Sequence, residues 1–106
     1  CAGHPSPDAT PAILRALDSA GASVIEIGFP FSDPIADGPV IQEAFTRSLA
    51  SGLRVSDVFD VVKSARDDVD YPMLGMVSAS IVHRIGADDF VARAKSAGLD
   101  GLIIPD

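Results

Sequence analysis

The chain has a single cysteine, Cys1, so no internal disulfide can form and the fold must rest on packing. Such sparing use of cysteine fits a reducing compartment. No apolar run approaches the roughly 18 residues that a membrane helix needs, and no signal-peptide pattern is present. A cytoplasmic protein with no membrane contact is expected. Basic residues are also few, with 8 Lys and Arg against 15 Asp and Glu, for a net charge of −7. That balance argues against nucleic acid or an anionic membrane as partner. The acids are scattered along the chain, as on a solvated surface. No glycine-rich phosphate turn follows any β-rich run, which leaves a nucleotide site without support.

What is present suffices for one packed unit. The 106 residues are 47 % hydrophobic, enough for a core and too apolar for disorder. Two stretches echo each other, "LDSAGASVIEIG" from Leu17 and "AKSAGLDGLIIPD" from Ala94. Each reads as a helix stopped by Ser-Ala-Gly, with Gly21 or Gly98 just past its end, then a tight turn into a strand. A third strand is expected over Met73–Val77.

Four helices are expected between these strands. Ser6 and Pro7 open the first, with Ile13, Leu14 and Leu17 on its apolar face. Pro39 opens the second, with Ile41, Ala44, Phe45 and Leu49 on one side and Gly52 at its end. Ser56 caps the third, where Val58, Phe59, Val61 and Val62 face inward, and Gly86 precedes a fourth built on Phe90, Val91 and Ala94. Alternating strands and helices imply an α/β fold with a parallel sheet under helices. Two architectures fit: a small doubly wound sheet, or part of a (β/α)8 TIM barrel, of which 106 residues would be about two-fifths. The chain opens on Cys1 and stops at "GLIIPD" as a strand ends, so residues 1–106 are expected to be a partial domain truncated at both ends.

The stretch "EIGFPFSDPIADGPVIQ", Glu26 to Gln42, is the most specific in the chain. It closely resembles the signature of the tryptophan synthase alpha chain family: a Glu ending the second barrel strand, then Gly-x-Pro-Phe-Ser-Asp-Pro-x-Ala-Asp-Gly-Pro. "CAGHPSPDAT" is similar to the loop leaving that family's first strand, and "GLIIPD" to its fourth strand. The resemblance therefore runs from the end of strand one to the end of strand four. It implies retro-aldol cleavage of indole-3-glycerol phosphate to indole and glyceraldehyde 3-phosphate, in tryptophan biosynthesis, without metal or cofactor. It also implies an alpha-beta-beta-alpha assembly with a beta subunit, where pyridoxal phosphate would reside.

The chemistry suits the residues. Breaking the bond to indole C3 requires protonating C3, stabilising the indole N–H as the ring turns cationic, and deprotonating a side-chain hydroxyl. One carboxyl group in an apolar barrel mouth can do the first and last tasks, because burial raises its pKa toward neutrality. Glu26 fits that role if its strand face points inward, since Ile25 and Ile27 face the other way. Asp37, on the following loop, would accept the indole N–H hydrogen bond. Taken alone, a strand Glu is also an edge or ion-paired residue, and Asp37-Gly38 before Pro39 is also a turn and helix start.

Other positions follow from the resemblance. Met76, Ile103 and Pro105 fall where the family lines its indole pocket, although core packing explains Met76 and Ile103 equally well. Pro30, Asp33 and Ser80 fall at the beta-subunit interface, and Asp33 also reads as an Asx turn. Asp106 matches an acid ending the fourth strand, or a turn acid. His4 and His83 read as exposed loop histidines without a role. Ser78 and Ser80 stand where the family commonly has Tyr and Asn, which alters the pocket wall and the contact with the partner. In this barrel type phosphate is held after the seventh and eighth strands, so the 106 residues by themselves are expected to be inactive. Two other readings remain: another phosphate-binding barrel enzyme of aromatic amino-acid or histidine biosynthesis, or a catalytically weak barrel that regulates a beta subunit.

Overall fold

Three short β-rich runs pair side by side, all parallel, because the helices between one strand and the next carry the chain back along the sheet. The computed structural model describes residues 1–106. In chain order the elements are α1 (Ala9–Ser19), β1 (Ile25–Gly28), α2 (Pro39–Ala50), α3 (Val55–Arg66), β2 (Met73–Met76), α4 (Ala79–Ile85), α5 (Ala87–Ala97) and β3 (Gly101–Ile103). The sheet order is β1-β2-β3, with Ile27 opposite Gly75 and Gly75 opposite Leu102. Hydrogen bonds continue the ladder past the strand ends, from Phe29 N–H to Met76 O (2.9 Å) and from Val77 N–H to Ile103 O (3.0 Å). Ala2 N–H donates to Gly28 O at 2.9 Å, which lays the first residues along the outer edge of β1.

Side chains alternate across a strand, so this register sorts the sheet into two faces. One carries Ile27, Gly75 and Leu102 and is covered by α1, α3 and α5, with α3 in the middle. Leu14 of α1, Val58, Phe59, Val62 and Ala65 of α3, and Phe90, Ala94 and Ala97 of α5 meet Ile27 and Met73 there. At its centre the rings of Phe29, Phe59 and Phe90 lie 5.2–5.6 Å apart at steep angles. Such pairs add about 0.5–1.5 kcal/mol each beyond the area they bury. Gly75 leaves the space for them, since a Cβ there would stand 3.1 Å from Phe29, Leu99 and Leu102. The other face carries Glu26, Gly28, Leu74, Met76 and Ile103, and none of these is buried.

The three strands, Pro39 as first residue of α2, and the glycine stops match the sequence reading; Gly21, Gly52 and Gly98 all take positive φ. Other boundaries differ. α1 begins at Ala9 because Ser6 O first accepts Ala9 N–H in a tighter turn, and Asp8 stands at the cap position. α3 begins before Ser56, because the Asp57 carboxylate accepts the Arg54 N–H at 2.7 Å and sets the start there. α4 is a fifth helix, which the sequence reading lacked. Ile13, Leu17, Ile41, Leu49 and Val91, expected inside, are exposed, since these 106 residues supply no partner surface for them. No helix is long and apolar enough to cross a membrane.

Candidate active site

The C-terminal strand ends carry most of the candidate residues. Glu26, Met76 and Ile103 share the uncovered sheet face, as the register places Met76 beside Ile103 and Glu26 one pleat below Gly28. Glu26 is exposed, and its carboxylate has neither a hydrogen-bond partner nor a cation. That corrects the ion-paired reading. The apolar surround expected around it is not supplied by these residues, because nothing covers this face. Val24, on the same face, is likewise exposed.

Above that face lies a cleft of about 260 Å³, lined among others by Asp33, Asp37, Phe45, Met76, Ser78 and Pro105. Met76 belongs to both surfaces, so the cleft opens where the Glu26 face ends. Phe45 lines it and packs over Gly28, where a Cβ would stand 3.4 Å from the ring, at ordinary contact distance. The sequence reading placed Phe45 on the inner side of its helix but did not see it as a site residue.

Asp37 is half-buried and its carboxylate makes no hydrogen bond. Its backbone, in contrast, is fixed. Asp37 N–H donates to Pro34 O at 3.1 Å, and the Gln42 side-chain amide donates to Asp37 O at 2.8 Å and to Pro34 O at 3.3 Å. Asp33 closes the preceding turn with its main-chain oxygen, which accepts Ile35 N–H at 2.8 Å, so the Asx turn expected from its side chain is not formed.

Asp106 is more than a turn acid. Its carboxylate accepts Ala79 N–H at 2.8 Å and Ser78 Oγ–H at 2.7 Å, tying the end of β3 to the start of α4. These bonds, the Ala79 N–H first, hold its pKa below the usual carboxylate range. Ser78 Oγ in turn accepts Ser80 N–H at 3.2 Å. No local signal announced this, because the capping acid lies 27 residues from Ala79.

Pro30 and Ser80 line a second groove, of about 610 Å³, together with Phe29, Leu53, Arg84 and Arg93. Two of the three residues assigned to a partner surface therefore come together, while Asp33 lies in the cleft. His4 is half-buried with Nδ1 unpartnered, not exposed as expected; His83 is exposed.

Comparison with known proteins agrees on one family. The sequence model described as tryptophan synthase alpha chain matches residues 1–106. The tryptophan synthase alpha chain of Methylibium petroleiphilum is 52 % identical over 106 residues, covering 99 % of this chain and 39 % of that protein. That of Caldanaerobacter subterraneus is 46 % identical, covering 99 % and 40 %. Among solved structures, tryptophan synthase subunit alpha from Legionella pneumophila superposes with a TM-score of 0.95 at 40 % identity, covering 99 % of this chain and 40 % of that one. A tryptophan synthase complex from Pyrococcus furiosus gives 0.93 at 41 %, covering 99 % and 43 %. The chain thus spans about 40 % of the length of the curated relatives it matches. It is a segment of a parallel (β/α)8 barrel and not a complete doubly wound sheet. By sequence and by fold, the chain belongs to the tryptophan synthase alpha chain family.

Proposed function

We propose that the full-length protein cleaves indole-3-glycerol phosphate to indole and glyceraldehyde 3-phosphate, with Glu26 as acid–base group and Asp37 as the acceptor for the indole N–H. The observation that carries this reading is that Glu26, Met76 and Ile103 share one sheet face and Asp37 lies in the cleft at its upper end. In a closed barrel that face is the interior and its strand ends are the site.

Glu26, protonated, gives its proton to indole C3, and the ring nitrogen takes on positive charge. The Asp37 carboxylate stabilises that charge through the N–H. The Glu26 carboxylate then takes the proton of the hydroxyl on the carbon attached to C3. The C–C bond breaks, its electron pair returns to the ring, and the hydroxyl carbon becomes the aldehyde of glyceraldehyde 3-phosphate. Proton and electrons balance within the substrate and one carboxyl group, so no cofactor is needed. Met76, Ile103 and Pro105 would contact the indole.

The partner is a beta subunit in an alpha-beta-beta-alpha assembly that holds the pyridoxal phosphate, and Pro30, Asp33 and Ser80 would face it. The grouping of Pro30 and Ser80 on one groove supports that surface, as does the likeness to the Pyrococcus furiosus complex. The setting is cytoplasmic, and the 106 residues alone are inactive.

The test is indole release by the full-length protein saturated with beta subunit, beside its Glu26→Gln variant. A loss of at least about 10²-fold supports Glu26 as the acid–base group. Equal rates remove it from the mechanism, and no indole from the parent protein overturns the lyase reading.

A further inference from the structure

We propose that Gln42 is a positioning residue for Asp37, an inference that rests on the reading of Asp37 above. Gln42 lies one turn into α2, whose Pro39 and Gly38 form the helix start. Its side-chain amide runs back over that start and donates both its hydrogens to main-chain carbonyls of the acidic loop, Asp37 O at 2.8 Å and Pro34 O at 3.3 Å. Those carbonyls flank the turn that Asp37 N–H closes onto Pro34 O. The two ends of the turn are thereby fastened to the first turn of a helix whose Phe45 is buried against Gly28 of the sheet.

The arrangement divides the work within one residue. The main chain of Asp37 is held at three points, by its own N–H, by its carbonyl and through Pro34. Its carboxylate accepts no bond inside the chain and stays free in the cleft beside Met76 and Pro105. A group that must meet an N–H in the transition state gains from such fixing, since displacement of about 1 Å can cost about 10²-fold in rate. The helix does not need the Gln42 amide. Gln42 is exposed, its own N–H already bonds Gly38 O at 3.0 Å, and its carbonyl serves Thr46. Both bonds require a donor, so a carboxylate in its place would face two carbonyl oxygens with nothing to give.

The test is a double-mutant cycle on the full-length protein with beta subunit, reading indole release. Gln42→Met keeps the length and removes the donor; Gln42→Glu keeps the shape and replaces the donor with an acceptor. The expected result is a fall of about 10- to 100-fold in kcat/KM for both, carried mainly by kcat, with an unchanged circular dichroism spectrum. In an Asp37→Asn background the same substitutions should cost less than about 2-fold, because the group they position is already lost. A parent-like rate for Gln42→Met overturns the proposal, as does an equal loss in both backgrounds. If Asp37→Asn itself leaves the rate unchanged, the role of Asp37 fails first and the proposal falls with it. Faster hydrogen exchange at the Asp37 amide in Gln42→Met is expected, and an unchanged rate there overturns the fastening independently of activity.

Discussion

Gly98→Ala should destabilise the protein mainly through Arg66, a residue on another helix. Gly98 ends α5 with φ 96°, where an L-residue costs about 1–2 kcal/mol. A Cβ there would also stand 2.6 Å from Arg66 Cδ and 2.7 Å from Cγ. These atoms are the stem of the side chain, so the guanidinium cannot keep its place. It donates to Gly98 O at 3.2 Å, to Val69 O and Tyr71 O at 2.9 Å each, and to the Asp100 carboxylate at 3.1 Å. Hydrogen bonds from a charged donor contribute about 1.5–3 kcal/mol each when buried. Arg66 is 24 % exposed and the four bonds share one group, so about 2 kcal/mol for the set is reasonable. The total for Gly98→Ala is then about 3–4 kcal/mol. In an Arg66→Ala background it should fall to the backbone cost, about 1–2 kcal/mol. Urea unfolding of the full-length protein and its three variants measures both numbers. Costs that agree within about 0.5 kcal/mol in the two backgrounds would refute the steric route through Arg66.

Phe90→Ala removes one ring of the buried trio and should cost about 3–5 kcal/mol in the same assay; a cost under about 1 kcal/mol would mean the trio is not a packed centre. Tyr71→Phe removes the 2.6 Å bond from its hydroxyl to Leu14 O and should cost about 1 kcal/mol. Desolvation first, then the charge of Asp18, raises the Tyr71 phenol pKa. Its neutral form is therefore favoured by folding: the contribution is complete below the ordinary phenol range and is lost as pH rises through the raised value. Tyr71→Phe should abolish that alkaline loss, and an unchanged alkaline unfolding curve would contradict it. Asp106 has the opposite sign. Its lowered pKa makes its tie to α4 complete above the usual carboxylate range and lost as pH falls through the lowered value. Carboxyl-carbon NMR of Asp106 should titrate below an ordinary Asp, and Ala79→Pro, which removes the N–H donor, should move it back up.

Much of this fold was legible because its signals are local. Gly21 and Gly98 stop helices by taking backbone angles that other residues avoid. Pro39 starts α2 because its missing N–H would have no helical partner. The apolar rhythm of Val58, Phe59 and Val62 marks a buried helix face whatever lies above it. Glu26 and Asp37 stood out as candidates for another reason, as parts of a long, gap-free stretch rich in proline, glycine and acid.

What stayed hidden depended on distant residues. α4 is short and rich in β-branched and small side chains, and the carboxylate at its start belongs to Asp106 on the far side of a helix and a strand. The place of Phe45 over Gly28 depended on how α2 packs on the sheet, and the exposure of Ile13 and Leu17 on which surfaces were there to cover them. Sequence alone determined the order of the three strands, four of the five helices and the parallel pairing, because periodicity and caps act along the chain. Only the tertiary structure decided which residues share a face or a cleft and that an amide from Gln42 fastens the Asp37 turn. Those depend on register and on hydrogen bonds whose direction is set in space.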